Sequence, residues 1–155
     1  MSSPSSGPSS GPSFGDPYNL ERFIEAQADS HDAACRELAA GCKRSHWMWF
    51  VFPQLRGLGQ SQASRFYGIT GLEEARAYLA DPVLGSRLRH ATQLVLRVEG
   101  ASAHDIFGSP DDFKLHASMT LFARAADDNA AFASVLQRYF DGEEHRLTAE
   151  MLDAP

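Results

Sequence analysis

One run of six apolar residues, Trp47 to Phe52, constrains the fold most, because it holds both tryptophans of the chain. Burying one large aromatic side chain contributes roughly 1.5–3 kcal/mol to folding, so we expect this run to lie in the core. Polar residues border it, with His46 before it and Gln54 and Arg56 after it. An apolar segment with polar borders is typical of a pocket wall, and equally of an ordinary core segment.

The run is too short for its periodicity to distinguish a buried strand from a buried helix. Elsewhere the chain shows no alternating apolar and polar segment that would supply a partner strand. A single strand cannot form a sheet, so we predict a helix over residues 45–52 that ends at Pro53.

Apolar residues spaced three and four apart predict further helices along the chain. The stripes are Leu20, Phe23 and Ile24; Cys35, Leu38, Ala39 and Cys42; Leu84, Leu88, Ala91, Val95 and Val98; and Phe132, Val135, Leu136, Tyr139 and Phe140. Capping boxes are predicted at Thr70–Glu73 and Ser102–Asp105, and Asp81 is predicted to cap the helix that follows it. The predicted fold class is therefore all-α, a single compact multihelical domain over residues 16–155.

Residues 1–15 differ from the rest, since almost all of them are serine, proline or glycine. Such a segment cannot bury enough apolar surface to offset the entropy of ordering it, so we predict a disordered N-terminal tail.

The segment 110–125 has apolar residues on two sides when it is drawn as a helix. Phe113, Ala117 and Leu121 fall on one side, and Leu115, Met119 and Phe122 fall nearly opposite. A helix that is apolar on two sides is a central one. We expect it to touch the aromatic run, and at least one of its polar stripes to face inward or line a cleft.

The composition argues against several classes of function. A formal net charge of −6 predicts no general affinity for nucleic acid or for an anionic membrane. No apolar run approaches the ~18 residues that a membrane span needs, which favours a cytoplasmic protein. Cys35 and Cys42, on one helix, would lie about 10 Å apart, too far for a disulfide, so we predict free thiols. No zinc-binding spacing is present, and neither a metal nor a cofactor is predicted.

The candidate chemistry centres on Lys114 and Ser118, which lie one helical turn apart on the same face. A lysine between apolar faces can hold an anion, and a serine beside it can join it in covalent catalysis, although a structural role fits the spacing equally well. His46 can exchange a proton near neutral pH, and Gln54 can recognise an amide or a nucleobase edge. Trp49 would supply an aromatic surface.

Five segments of the chain resemble the family known as "domain of unknown function 1810", over about residues 18–152. They are Lys43–Gly59, Glu74–Leu79, Val83–Leu88, Ile106–Gly108 and Asp112–Ala123. The resemblance implies a multihelical fold and no particular activity. The chain is also similar, more loosely, to the NADAR superfamily of small helical enzymes that act on ADP-ribose-linked substrates.

The sequence predicts a domain that binds a small anionic or nucleotide-like ligand in a pocket. The pocket residues would be His46, Trp49, Gln54, Lys114 and Ser118. Two alternatives stay open: an N-glycoside or ADP-ribosyl hydrolase, as the NADAR resemblance implies, and a protein-interaction module without catalysis. Whether the protein is an enzyme is not decided by these residues.

Overall fold

The computed structural model describes residues 15–154, and over this range the chain forms ten α-helices around one core. The helices are α1 (Glu21–Ala28), α2 (His31–Ala39), α3 (Met48–Val51), α4 (Gln62–Phe66), α5 (Leu72–Ala80), α6 (Leu84–Arg97), α7 (Ala103–Phe107), α8 (Asp111–Ala125), α9 (Ala130–Phe140) and α10 (Arg146–Asp153). No strand forms in this range, where a lone parallel bridge joins Leu55 to Ile69. The all-α prediction is confirmed. The predicted tail, apart from Gly15, lies outside the described residues.

Helix α8 is at the centre, packed against α5, α7, α9 and α10. Helix α6 packs against α2, α5 and α9 and buries the predicted stripe from Leu84 to Val95. Of the helices between residues 15 and 154, none combines the length and apolar character needed to cross a bilayer.

The two-sided burial of α8 is confirmed except in its first turn. Leu115, Met119 and Phe122 are fully buried on one side, and Leu121 is fully buried on the other. Phe113, expected to be buried beside Leu121, is 60% exposed. Since Phe113 lies in the first turn, this side of the helix is buried only from Ala117 onward.

The helix predicted over residues 45–52 is wrong in length, because only Met48–Val51 is helical. The amides of Arg44 and Ser45 donate instead to the carboxylate of Glu37, at 2.7 and 2.9 Å. Those amides are therefore satisfied without a helix. A side chain eight residues upstream thus fixes the backbone that precedes α3.

The aromatic run meets α8 at Trp49, since the Lys114 ammonium lies over the Trp49 ring. Trp47 and Phe52 pack against Phe107 of α7, with ring centroids 6.4 and 6.0 Å away. The expectation that the run touches α8 is met at Trp49, whereas the main aromatic contacts go to α7.

The predicted helix caps have mixed outcomes. The Ser102–Asp105 capping box is present, and Asp81 accepts from the amides of Val83 and Leu84. The Thr70–Glu73 box is wrong, because the amide and hydroxyl of Thr70 both donate to Glu74. Helix α5 begins at Leu72, which places Glu74 rather than Glu73 at its third position.

The two cysteines are free thiols, as predicted. They do not share a helix, however, because α2 ends at Ala39, three residues before Cys42. Gly41, with a φ of +76°, follows the end of the helix. A left-handed glycine is a common way to end a helix, so the chain leaves the α2 axis before Cys42.

Candidate functional site

Two lysine side chains share one carboxylate at the start of α8. Lys43 Nζ lies 2.8 Å from Asp111 Oδ2, and Lys114 Nζ lies 3.3 Å from Asp111 Oδ1. The side chains of Lys43 and Lys114 are only 7% and 21% exposed. The two ammonium groups and the carboxylate lie in a partly desolvated place, where electrostatic interactions are stronger than in bulk water.

Each lysine of this cluster also lies over a tryptophan ring. Lys43 Nζ is 5.0 Å from the Trp47 ring centroid, and Lys114 Nζ is 4.5 Å from that of Trp49. These distances are typical of cation–π contacts. One face of Trp49 is therefore occupied by Lys114, and a ligand ring could stack on that face only if Lys114 moved.

Two buried polar side-chain atoms in residues 15–154 have no hydrogen-bond partner, and both belong to predicted site residues. They are Trp49 Nε1 and Ser118 Oγ. Ser118 is fully buried, one turn after Lys114 on the same face of α8. A buried donor without a partner costs about 1–3 kcal/mol, and such exceptions in native proteins need an explanation.

Glu37 of α2 holds the segment that carries Lys43. Its carboxylate accepts four hydrogen bonds, from the Arg44 and Ser45 amides, the Ser45 hydroxyl and Trp47 Nε1, at 2.6–2.9 Å. Burial would raise the pKa of Glu37, but these hydrogen bonds outweigh it and lower the pKa to about 2. Lys43 Nζ donates to the Ser45 carbonyl at 2.6 Å, so the same turn also positions this ammonium.

His46 and Gln54 lie apart from this network. His46 is exposed, and Gln54 is half-buried, with its main-chain carbonyl accepting from the Ile69 amide. The hydrogen bonds and ion pairs of residues 15–154 do not join either side chain to Lys114. The cluster thus brings together Trp49, Lys114 and Ser118 of the five predicted residues.

The sequence reasoning missed Lys43 and Asp111 as site residues. Neither is among the five predicted residues, because a charged residue near the start of a helix looks the same in the sequence whether or not it pairs with a distant group. Four clefts of ≈290–460 Å³ occur elsewhere, and none is lined by any of the five predicted residues. Within residues 15–154, no three His, Cys, Asp or Glu side chains are placed to hold a metal ion.

The fold and this cluster define a small all-α domain with a buried basic–aromatic corner between α3 and α8. The chain belongs to the family described as "Protein of unknown function (DUF1810)", whose model matches residues 17–152. This confirms the family resemblance. No curated protein matches the chain.

A solved structure is closely similar, that of the conserved hypothetical protein Rv1873 from Mycobacterium tuberculosis. The two sequences are 54% identical, and the TM-score is 0.89. The match covers 90% of this chain and 100% of the other. The helical fold is thus shared over nearly the full length of both proteins.

Proposed function

We propose that this domain binds a small anionic ligand at the cluster of Lys43, Lys114, Trp49 and Ser118. The observation that carries the proposal is the pair of unpartnered buried groups, Trp49 Nε1 and Ser118 Oγ, beside two lysines that share one carboxylate. Ser118 is fully buried one helical turn after Lys114, which is partly exposed.

The balance of donors and acceptors supports an anion in particular. Each ammonium carries three N–H donors; Asp111 takes one from each lysine, and the Ser45 carbonyl takes a second from Lys43. Further N–H groups on both lysines, the Trp49 N–H and the Ser118 hydroxyl have no described acceptor. A carboxylate or phosphate is acceptor-rich and negatively charged, so it would accept from these donors and pair with the ammonium groups.

Lys114 is the side chain that would move to admit such a ligand. Trp49 Nε1 and Ser118 Oγ are buried, whereas Lys114 is half-buried, with its ammonium over the Trp49 ring and Ser118 one turn further along α8. Its long stem can change rotamer, exchanging Asp111 for a ligand oxygen while it stays charged. These contacts favour the anionic group of a ligand, and they do not require a nucleotide base.

The test is Lys114→Met, which keeps most of the volume of the lysine stem and removes its charge. Nucleotides and sugar phosphates are first screened by thermal shift, and the best compound is then titrated by calorimetry. Losing one charge-assisted contact should weaken binding by about 1.5–3 kcal/mol, or roughly ten- to a hundredfold. The melting temperature without ligand should change little.

Arg97→Met is the matched control, because it removes one positive charge from an exposed position at the end of α6. Its affinity for the same compound should equal that of the unmodified protein. A Lys114→Met protein that binds normally but melts at a much lower temperature would show that Lys114 is only a structural ion-pair partner.

A further inference from the structure

A separate feature lies around Arg56, which lines two neighbouring clefts of ≈390 and ≈290 Å³. Tyr18, Arg56, Thr70 and Glu74 line both of them. The smaller cleft also contains Phe66, and the larger one contains Glu73. These clefts share no residue with the Lys43–Lys114 cluster.

The backbone of Arg56 is held firmly while its side chain is free. The Arg56 amide donates to the Ile69 carbonyl, and the Ile69 amide donates to the Gln54 carbonyl, both at 2.9 Å. A Cβ on Gly68 would lie 2.6 Å from Arg56 Cα, so the two chain segments are in close contact. The guanidinium itself is exposed and makes no ion pair or side-chain hydrogen bond with any described residue.

A buried ion pair fixes the walls of the smaller cleft. Arg22 and Glu74 meet at 2.8 Å with side chains 6% and 2% exposed. The Arg22 guanidinium also donates to four main-chain carbonyls, those of Tyr18, Asn19, Phe66 and Gly68. A buried ion pair is weak evidence for stability, but it can fix geometry, and this one ties together three segments that line the cleft.

The charges in the smaller cleft do not cancel. Arg22 and Glu74 neutralise each other, and Glu74 is further engaged by the amide and hydroxyl of Thr70. Arg56, which lines the same cleft, has no ion-pair partner within residues 15–154. Glu73 lines only the larger cleft, although its carboxylate accepts from the Tyr18 hydroxyl at 3.4 Å. The smaller cleft is therefore the better place for an anion.

Two aromatic side chains line the same cleft as Arg56. Phe66 is 51% exposed, although its ring packs edge-on against Tyr67 at 4.8 Å. Tyr18 forms another part of the wall. An exposed phenylalanine at the edge of a rigid cleft can contact the apolar body of a ligand.

We propose that the smaller cleft is a second binding site, for a carboxylate or phosphate carried on an aromatic ring. The planar guanidinium of Arg56 pairs with two oxygens of the anion at once. The ring lies against Phe66 and Tyr18. Because Arg22 and Glu74 set the walls in advance, little ordering is needed on binding.

The probes are phenyl phosphate and benzoate, which distinguish the two anions, and benzamide as an uncharged analogue. Binding is followed by chemical-shift changes in the amide spectrum of the full chain. Phenyl phosphate, benzoate or both should shift the Arg56, Phe66 and Thr70 amides, and benzamide should shift them much less. Arg56→Gln should weaken binding about ten- to a hundredfold.

Arg65→Gln is the matched control, because Arg65 is an exposed arginine in the same region that lines neither cleft. It should leave the probe-induced shifts of the Arg56, Phe66 and Thr70 amides unchanged, as should Lys114→Met, which separates this site from the proposed function. Phe66→Ala should weaken the binding of phenyl phosphate but not that of inorganic phosphate. Equal effects of Arg56→Gln and Arg65→Gln, or shifts confined to other parts of the chain, would overturn the proposal.

Discussion

Among single residues, Glu37 connects the aromatic segment to α2. Its carboxylate accepts two main-chain amides, a hydroxyl and the indole N–H of Trp47, a fully buried side chain. Removing it would leave the buried indole donor without a partner. The same carboxylate orders the turn that brings Lys43 to Asp111.

Glu37→Gln should therefore destabilise the protein, by about 1–3 kcal/mol, because the amide keeps one acceptor oxygen but loses the charge. Urea unfolding measures the change, and Glu25→Gln, at an exposed position of α1, is the control. An unfolding free energy equal to that of the control would show that water replaces these contacts at no cost.

The same residue gives an acid-stability prediction with a definite sign. The pKa of Glu37 is lowered to about 2 in the folded protein from an ordinary 4.5. Its stabilisation is thus fully present above pH 4.5 and is lost as the pH falls toward 2. The unmodified protein should lose more stability over this window than Glu37→Gln, and parallel curves for the two would contradict the assignment.

The limits of prediction are clearest at this scale. Lys114 and Ser118 could be grouped from the sequence because they share a helix face, a relation that spacing alone reveals. Asp111 and Glu37 were missed because Lys43 and the 44–47 turn, which they bind, come from other parts of the chain, and nothing local marks an acid as bridging two lysines or binding a distant turn. Phe113 was expected to be buried because periodicity assigns it to an apolar side. Periodicity does not show where a helix extends beyond its neighbours.

At the scale of elements, α10 depends on a histidine. His145 is its N-cap, and Nδ1 accepts from the Thr148 amide at 3.3 Å and bonds the Thr148 hydroxyl at 2.8 Å. The His145 amide donates to Thr120 Oγ1 of α8 at 2.8 Å. Its ring lies edge-on to His116, 5.4 Å between centroids. Only a neutral imidazole can accept the Thr148 amide proton, so the helix start requires His145 to be uncharged.

Burial, and then the neighbouring His116, lower the pKa of His145 below its ordinary 6.5. The stability that neutral His145 contributes is present above pH 6.5 and is lost as the pH falls through the lowered pKa. Hydrogen exchange of the α10 amides, corrected for intrinsic rates, should thus show less protection at about pH 5 than at pH 7. Amides of α6 serve as the internal reference.

His145→Asn tests this cause, because asparagine is a good N-cap that does not titrate. Its α10 protection should be independent of pH in the same range. Glu144 and Asp153, which pair with Arg124, stay ionised over this range, since hydrogen bonds from Arg124 lower the pKa of both. Protection that still depends on pH in His145→Asn would show that His145 is not the cause.

For the whole molecule, the fold class could be predicted because it rests on apolar spacing repeated along the chain, which single errors do not disturb. The arrangement of helices could not. It depends on pairs such as Arg22 with Glu74, which lie 52 residues apart and are buried together. Charged residues are rarely fully buried unless paired, and a sequence without its contacts does not show which charges pair.

This ion pair yields the last prediction. Arg22→Met should cost about 3–5 kcal/mol, because it leaves the Glu74 carboxylate buried without its cation. Glu74→Leu should cost a similar amount, since it strands the guanidinium and removes the acceptor of Thr70. In the double variant neither charge of this pair remains. Urea unfolding should therefore show a loss of unfolding free energy well below the sum of the two single losses. Additive losses would mean that water already screens the pair, and that Arg22 stabilises the fold through its main-chain hydrogen bonds rather than through Glu74.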